Sequence, residues 1–366
     1  MAPIKPASPP GITLLDRVRL GFDFCKLPYF LATGLFRDAN KGRSWKRTVH
    51  DSLFRFLTSR TWGIYTFQSL FGTTGATYRK WACHNALEIL SDDIGEGAQL
   101  HWIGPRRYDR VLLYFHGGGF SLALSDATNL PFIHSLQREL EKSAGGAGVV
   151  LLEYSLTPDA PFPTQLKQAI AAVTHLFNKG LKPEHLLLSG DSAGGNLVLQ
   201  LFSHYLHPTP VAPPPPTLTA PFGGAVLISP WISFDSSISS FAENDKKDVL
   251  GTYFYSFLAA QVTAGVQDTH RKYVEAYVAP DAWWDGLDGL VRRVFVSAGE
   301  LECPRDPIVK FCDGPLRAHV PDTVLVVEQN GVHEDMIMSF GAGEGAQSAE
   351  YWKLVKWLSE SFSAAQ

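Results

Sequence analysis

Short apolar runs, each bounded by glycine, proline or aspartate, recur along the chain from about residue 83 onwards. Six of these runs predict strands, at 111–115, 149–154, 186–189, 225–228, 293–297 and 323–327. The runs are almost continuously apolar, which is typical of parallel strands buried on both faces of a sheet. Longer amphipathic stretches between them predict helices, at 130–143, 162–179, 194–206 and 306–318. This alternation predicts an α/β domain with a mostly parallel central sheet flanked by helices.

The other segments are arranged around this domain, which we assign to residues 83–366. Residues 1–82 predict an N-terminal region of helices rich in Phe, Leu and Trp, which we expect to form a lid. The proline-dense stretch 207–221 predicts an extended surface loop, because proline cannot donate a backbone hydrogen bond. A docking site for a partner is the alternative for that loop. The aromatic, helical stretch 236–284 predicts a cap over the carboxyl edge of the sheet.

Composition excludes some classes of function. The 366 residues include 32 Lys and Arg against 36 Asp and Glu, a net charge of -4, which argues against binding to nucleic acid. We expect Arg43, Lys46 and Arg47 to form a solvated helix face. The four cysteines have no metal-ligand spacing, so we predict no metal and free, mostly buried thiols. A disulfide between Cys303 and Cys312 is the alternative.

The N-terminal pattern does not predict a secreted or membrane-spanning chain. Residues 1–11 are proline-rich and lack the charged-then-apolar order of a signal peptide. Residues 14–36 are apolar, but they include five charged side chains and Pro28, and a span needs about 20 apolar residues. We therefore predict a cytoplasmic protein whose N-terminal helices cover the mouth of a site. A peripheral membrane contact through these helices is the alternative.

The sequence Gly-Asp-Ser-Ala-Gly at 190–194 has the G-x-S-x-G form of a nucleophile elbow. It follows the predicted strand 186–189 and begins a predicted helix, which is the context that such a turn requires. A Cβ at Gly190 or Gly194 would collide with neighbouring backbone on so sharp a turn. The motif therefore predicts Ser192 as a nucleophile.

Three consecutive glycines, in the sequence His-Gly-Gly-Gly at 116–119, directly follow the predicted strand 111–115. Glycines in this position allow backbone N–H groups to point at a substrate oxygen on which charge develops. Each such donor stabilises a transition state by about 2.7–4 kcal/mol. The run therefore predicts an oxyanion hole.

The general base and its acid should follow the serine in the chain. His333 lies in a loop after the last predicted strand, from which it can reach the serine, so we predict it as the base. Glu300, Glu302 and Asp306 all lie near the carboxyl end of the strand 293–297, where such sites are built. Only one of them is needed to orient the imidazole, and periodicity does not choose among them.

Together these motifs resemble the hormone-sensitive-lipase-like branch of the α/β hydrolases, in particular fungal members similar to steryl acetyl hydrolases. The runs that carry the resemblance are YFHGGGF at 114–120, EYSLTPDAPFP at 153–163, GDSAGGN at 190–196 and SPW at 229–231. The resemblance covers the chain from about residue 87 to the C-terminus, whereas the N-terminal helices resemble the family only in character. The resemblance implies an α/β-hydrolase fold with a helical cap and a carboxylesterase or lipase activity that needs no metal or organic cofactor.

The resemblance also implies roles for individual residues. Ser192 and His333 are expected in the catalytic triad, with oxyanion N–H groups from Gly118, Gly119 and Ala193. The family's acid begins a D-x-L-x-D pattern, and the matching frame here is Glu-Cys-Pro-Arg-Asp at 302–306. We therefore predict Glu302 as the acid, with Asp306 or Glu300 as alternatives. His116 and the segment 158–163 are expected to support the site without entering the triad.

The aromatic cap suggests a hydrophobic small-molecule ester, such as a short-chain acyl ester of a sterol, terpenoid or polyketide. This expectation rests on Trp231, Trp283, Trp284 and the Phe-rich N-terminal helices, and we predict Phe120 and Trp231 as substrate-binding residues. The alternative within catalysis is acyl transfer, lactone formation or cyclisation in a fungal secondary-metabolite pathway. A binding protein without activity is a further alternative, which the presence of both Ser192 and His333 disfavours.

Overall fold

Eight strands form one sheet in a computed structural model, which describes residues 12–37, 40, 42–143 and 146–363. The strands are β1 (Leu90–Asp93), β2 (Gln99–Trp102), β3 (Val111–Phe115), β4 (Gly148–Glu153), β5 (Leu186–Asp191), β6 (Gly224–Ile228), β7 (Val294–Gly299) and β8 (Thr323–Glu328). Their order across the sheet is β1-β2-β4-β3-β5-β6-β7-β8. The proline-rich segment 1–11, from which we predicted no signal peptide, lies outside the described residues.

The six strands from β3 to β8 are all parallel, and they are the six that the apolar runs predicted. Strands β3, β5, β6 and β7 are buried along their whole length, as expected for strands covered on both faces. The predicted α/β-hydrolase fold with a mostly parallel sheet is confirmed. Strands β1 and β2 were not predicted. They are antiparallel and only four residues long, and the sequence Leu-Ser-Asp-Asp of β1 contains no apolar run.

Fifteen α-helices are described. They are α1 (Leu14–Phe24), α2 (Leu27–Gly34), α3 (Trp45–Thr58), α4 (Ile64–Phe71), α5 (Thr74–His84), α6 (Asn129–Lys142), α7 (Thr164–Asn178), α8 (Ala193–Leu206), α9 (Ser239–Asn244), α10 (Thr252–Thr263), α11 (Arg271–Val274), α12 (Arg305–Phe311), α13 (Arg317–His319), α14 (Asp335–Gly341) and α15 (Ala349–Ser363). The helix predicted over 306–318 is present as a continuous helical run, in which a π-helical segment at 312–316 that contains Pro315 separates α12 from α13.

Helices α1–α5 precede the sheet in the chain, and α3 and α4 contact the segment 236–284, which contains α9, α10 and α11. The ring of Phe67 on α4 meets Phe254 on α10 edge-on, with the ring centroids 5.4 Å apart. Residues 207–221 contain no regular helix or strand. Helices α3 and α10 together form a roof over the carboxyl ends of the central strands.

The basic residues at the start of α3 do not form the solvated face that we expected. The guanidinium of Arg47 is only 3% exposed and pairs with Asp335 at 2.6 Å and with Asp51 at 2.7 Å. Arg43 contacts the same two carboxylates at 2.9 and 3.0 Å. Lys46 alone is exposed. The prediction was wrong because α3 packs against α14, which begins at Asp335, so the cluster joins the N-terminal helices to the domain.

The cysteines are free, but only Cys303 and Cys312 are buried, whereas Cys25 and Cys83 are exposed. The expectation of mostly buried thiols therefore fails for two of the four, and the alternative disulfide is not formed. Within the described ranges, no group of His, Cys, Asp or Glu side chains could hold a metal ion. No helix in the same ranges is both long and apolar enough to cross a bilayer.

Candidate active site

Ser192 lies on the turn between β5 and α8 with φ 47° and ψ −112°, a conformation that is unfavourable for residues other than glycine. Its N–H donates to Ile228 O at 2.9 Å, and its carbonyl accepts from the N–H of Trp231 at 3.0 Å. A Cβ at Gly194 would overlap the carbonyl of Phe115, and a Cβ at Gly190 would overlap the backbone of Gly194. The turn is therefore held by backbone contacts that only glycine permits.

The glycine loop after β3 lies beside this turn. Gly118 and Gly119 have φ values of 96° and 59°, which favour glycine. Within the described chain, the N–H groups of Gly118 and Gly119 donate to no acceptor. The same holds for Ala193, whose N–H is one of the unpaired donors at the start of α8. The three predicted donors are thus free to bind a substrate oxygen.

His116 is a buried residue that supports the glycine loop. It is fully buried, its Nε2 lies 3.1 Å from Thr74 Oγ1, and its Nδ1 lies 2.8 Å from Gly117 O. Its ring stacks on Tyr154, whose hydroxyl donates to His116 O at 2.6 Å. Burial lowers the pKa of His116 to about 4, so the ring is neutral at physiological pH. These contacts join α5 and β4 to the loop and place the ring away from Ser192.

His333 and Glu302 form a buried pair, with His333 Nδ1 2.7 Å from Glu302 Oε2. The other carboxylate oxygen of Glu302 accepts the N–H of Gly299 at 2.8 Å. His333 Nε2, the nitrogen that would face the nucleophile, has no hydrogen-bond partner among the described residues. The two carboxylates that we kept as alternatives point elsewhere. Asp306 accepts from Ser239 Oγ at 2.9 Å, and Glu300 accepts from the N–H of Asn330 at 2.8 Å.

Burial affects the charge of both members of this pair. It lowers the pKa of His333 and raises the pKa of Glu302, whereas the N–H of Gly299 favours the carboxylate form of Glu302. The nearby carboxylate of Asp248 partly offsets this lowering of the His333 pKa, because its negative charge favours the protonated imidazole. The imidazole is therefore neutral near pH 7, which is the form that can accept a proton from a serine.

Asp248 is a site residue that the sequence did not indicate. It is completely buried, and its two oxygens accept the N–H of His333 at 2.9 Å and the N–H of Cys303 at 2.8 Å. Asp248 thus binds the backbone next to the acid and the backbone of the base itself. Burial raises its pKa to about 6. Because Asp248 comes from the loop before α10, no motif near Glu302 or His333 could have shown it.

A second carboxyl group, that of Glu334, lies close to His333 and was also not predicted. Its Oε1 is 3.7 Å from His333 Nε2, and the carboxyl group lies beside Gly117, as does that of Asp191, which directly precedes the nucleophile. Asp191 also accepts the N–H of Gly117 at 2.9 Å. Burial raises the pKa of both carboxyl groups. The pair therefore connects the loop that carries His333 to the nucleophile elbow and to the glycine loop.

A small cavity opens where these groups meet. Its lining is mainly apolar, and the residues are Phe54, Gly118, Gly119, Leu122, Ser192, Trp231, Val249, Leu250, Phe254, Tyr255, Leu258, His333, Glu334 and Met338. Trp231 therefore lies where we predicted a substrate-binding residue. Phe120 does not line this cavity, because its ring packs against Tyr154 in the core.

The aromatic side chains in the cavity differ from those that suggested a hydrophobic substrate. Trp284 is fully buried against Phe311, and Trp283 stacks on His207, so neither reaches the cavity. Phe54 from α3 and the α10 aromatics Phe254 and Tyr255 line it instead. The hydrophobic character that we predicted is present, but different residues supply it.

Comparison with known families agrees with this geometry. A family described as the alpha/beta hydrolase fold matches residues 112–335, from β3 to just beyond His333. This match covers more than half of the chain. The chain belongs to the α/β hydrolases. It is of the hormone-sensitive-lipase-like type, because both acetyl-hydrolases and hormone-sensitive lipases are among its relatives.

The relatives of this α/β hydrolase match it over different lengths. An acetyl-hydrolase from Streptomyces hygroscopicus is 32% identical over 227 residues, which are 61% of this chain and 67% of that protein. The hormone-sensitive lipase of Homo sapiens is 37% identical over 118 residues, so the match spans only 10% of that protein. These relatives place this α/β hydrolase among carboxylesterase- and lipase-like enzymes.

Solved structures agree on the fold of this α/β hydrolase. An esterase from the bacterial hormone-sensitive lipase family superposes with a TM-score of 0.67 at 22% identity, over 88% of this chain and 99% of that one. At this level of identity the likeness shows the fold alone. The family match begins at residue 112, so helices α1–α5 of this α/β hydrolase lie outside it.

Proposed function

We propose that this α/β hydrolase cleaves short-chain acyl esters of apolar small molecules through an acyl-enzyme on Ser192. One observation carries the proposal. Ser192, His333 and the free N–H groups of Gly118 and Gly119 all face a single cavity with apolar walls. The serine provides a nucleophile, the imidazole a base and the N–H groups a site for negative charge, which are the parts that acyl transfer from an ester requires.

The proposed reaction has two halves. Ser192 Oγ attacks the carbonyl carbon, His333 Nε2 accepts the serine proton, and the oxyanion accepts hydrogen bonds from Gly118, Gly119 and Ala193. The carbon–oxygen bond to the alcohol then breaks, and the alcohol leaves with the proton from His333. A water molecule next attacks the acyl-enzyme with His333 again as base, and the carboxylic acid is released. Glu302 keeps the imidazole oriented and stabilises its cation in both halves.

The walls of the cavity support the substrate class. The lining residues Leu250, Phe254, Leu258 and Trp231 offer few polar partners, so a charged group placed there would lose hydration without compensation. The relative named an acetyl-hydrolase supports a short acyl group. We propose a sterol, terpenoid or polyketide as the alcohol part, in a fungal pathway.

A series of p-nitrophenyl esters of increasing acyl length tests this function on the wild type, Ser192→Ala and Ser237→Ala. Ser237 is an exposed serine outside the cavity and serves as the matched control. We expect the wild type to prefer short apolar acyl groups and Ser192→Ala to lose about 10⁵–10⁶-fold in kcat, with Ser237→Ala unchanged. Equal rates on charged and apolar esters would contradict the substrate class. Full turnover by Ser192→Ala would contradict the whole proposal.

Acyl transfer, lactone formation or cyclisation is the second candidate. The roof of α3 and α10 leaves Ser192 only 5% exposed, which would favour a bound hydroxyl over water in the second half of the reaction. Product analysis separates the two outcomes. Free acid and free alcohol in equal amounts indicate hydrolysis, whereas an acylated acceptor alcohol or a lactone indicates transfer.

A further inference from the structure

The most exposed hydrophobic side chains of the described chain are concentrated in one short segment. Every large hydrophobic side chain that is exposed by 60% or more lies between residues 14 and 45. These residues, which we call the N-terminal apolar face, are Leu14, Leu15, Val18 and Phe22 on α1, Tyr29 on α2, Phe36 just after α2 and Trp45 on α3. Elsewhere in the described ranges the highest exposure is 51%, for Tyr253. A concentration of this kind indicates an interaction surface.

The geometry of α1 shows that this face is turned outward. Leu14, Val18 and Phe22 are spaced four residues apart, so they lie on one side of the helix. Leu20, which lies on the opposite side, is the buried residue of α1. The inner side is anchored by Asp23, which accepts from Trp62 Nε1 at 2.9 Å. The helix therefore packs through one side and presents a row of apolar side chains to solvent through the other.

The segment is basic, although the chain as a whole is acidic. Residues 12–47 contain eight Lys or Arg and three Asp. Arg43 and Arg47 are neutralised within the buried ion-pair cluster and Lys26 pairs with Asp23, whereas Arg17, Arg19 and Lys46 are exposed and form no ion pair with a described residue. Asp16 and Asp23 are themselves hydrogen-bonded, to Thr13 and to Lys26. The surroundings of the apolar face are therefore positive.

We propose that α1 and α2 dock on an anionic phospholipid surface, with the N-terminal apolar face inserted among the acyl chains and the basic side chains at the headgroups. An amphipathic helix that carries Phe and Leu on one side and Lys or Arg on the other binds in the plane of such an interface. Tyr29 and Trp45 suit the headgroup boundary, where aromatic rings with a polar end concentrate.

A second copy of the chain fits this surface less well. A two-fold contact would place the same surface of both copies together, and the exposed basic groups of each copy would face those of the other. An anionic bilayer instead offers negative headgroups to the basic groups and hydrocarbon to the apolar ones. The charge of the segment thus favours lipid over self-association.

Docking in this orientation would bring the cavity close to the membrane. Helix α3 packs on α2, places Phe54 in the cavity, and binds the loop that follows His333 through Arg43 and Arg47. If the proposed function holds, apolar esters dissolved in the membrane would lie next to the roof of the site. This consequence rests on the proposed function, whereas the docking itself does not.

Flotation with vesicles tests the docking. The full chain is mixed with vesicles of pure phosphatidylcholine or of equimolar phosphatidylcholine and phosphatidylserine, at low and high salt. The test variant is Val18→Ser with Phe22→Ser. The matched control is Ile89→Ser with Val278→Ser, two exposed hydrophobic positions outside the face. Hydrolysis of a soluble p-nitrophenyl ester and thermal melting are measured for each protein, which separates failure of docking from failure of the proposed function or of folding.

We expect the wild type to float with the anionic vesicles and to release at high salt. The test variant should bind them at least about tenfold more weakly, and the control should bind within about twofold of the wild type. A third variant, Arg17→Gln with Lys46→Gln, should lose at least about tenfold on anionic vesicles and little on neutral ones. Wild type that fails to float, or a test variant that binds like wild type, would overturn the proposal. So would a dimer in sedimentation velocity that the test variant abolishes.

Discussion

The two sides of the candidate site are held together in different ways. On the nucleophile side, Ser192 and the glycine loop are fixed by backbone crowding between adjacent parallel strands, with Gly190 and Gly194 as the residues that permit it. On the base side, Glu302 and His333 lie on loops that are held by carboxylates from elsewhere. Asp248 comes from the loop before α10, and Asp335 is bound by Arg47 of α3.

This difference predicts how each side should respond to substitution. The nucleophile side contains little empty space, so adding even one methyl group should disrupt the fold. The base side depends on charged and hydrogen-bonded groups that are distant in sequence, so the loss of one of them should affect the imidazole and the attachment of α3 more than the sheet. The predictions below test each side in turn.

After loss of the nucleophile itself, removal of the acid should have the largest effect. Glu302→Ala leaves His333 Nδ1 without its partner at 2.7 Å, so neither the orientation of the ring nor its cation is supported. We expect kcat to fall about 10⁴-fold on a soluble ester, with the protein still folded by circular dichroism. Asp306→Ala, whose carboxylate contacts Ser239 instead, should stay within about twofold. The reverse result would move the acid to Asp306.

Crowding on the nucleophile side can be tested with Gly194→Ala. The added Cβ would overlap the Phe115 carbonyl, which cannot move without breaking the pairing of β3 and β5. We expect a loss of about 4 kcal/mol in the free energy of unfolding, measured by urea denaturation. Gly289→Ala, where no atom lies near the added Cβ, should be close to neutral. Equal stabilities of the two variants would show that the elbow is not held by crowding.

The attachment of α3 should weaken in Arg47→Met. The substitution removes a buried guanidinium and leaves the carboxylates of Asp51 and Asp335 with Arg43 alone. We expect the free energy of unfolding to fall by about 3 kcal/mol. Lys46→Met, at the exposed neighbouring position, should change stability little. If the two variants were equally stable, the ion-pair cluster would not be what attaches α3 to the segment that follows His333.

Asp248→Asn should produce the smallest effect. An asparagine can accept only one of the two N–H bonds that Asp248 accepts, and it removes a charge that raises the pKa of His333. In the wild type, kcat/KM should decrease as the pH is lowered, with a midpoint below pH 6.5. The reason is that burial lowers the pKa of His333 and only the neutral imidazole is a base.

In Asp248→Asn we expect kcat/KM to fall about tenfold and this midpoint to move to lower pH. Asp245→Asn, in the same loop but exposed, serves as the control and should follow the wild-type profile. A midpoint that moves upward or not at all would contradict the position of Asp248 beside the base.

The sequence predicted the nucleophile side in more detail than the base side, for physical reasons. The six parallel strands are continuous apolar runs, and the elbow and glycine loop are contiguous motifs whose local geometry requires glycine. Strand β1 was missed because its sequence, Leu-Ser-Asp-Asp, contains no apolar run and lies half-exposed at the edge of the sheet. Arg43 and Arg47 resembled solvated charges because their partner, Asp335, is almost three hundred residues away.

The residues that surround the base show the same limit. Glu334 and Asp191 are each next to a residue that we predicted, yet only the tertiary fold brings the two carboxyl groups together. Asp248 has no local signal at all, because its role is to bind two backbone N–H groups on other loops. The predicted cap contains α10, but its lining residues could not be identified from Trp283 and Trp284, which pack away from the cavity.

The central claim, that Ser192 carries the acyl group, is tested most directly by mass spectrometry of the enzyme quenched with acid during turnover of a slowly released p-nitrophenyl ester. We predict an increase in mass by one acyl group, located on the peptide that contains Ser192 and absent from Ser192→Ala. An acyl group on another residue, or continued turnover by Ser192→Ala without an adduct, would contradict the account.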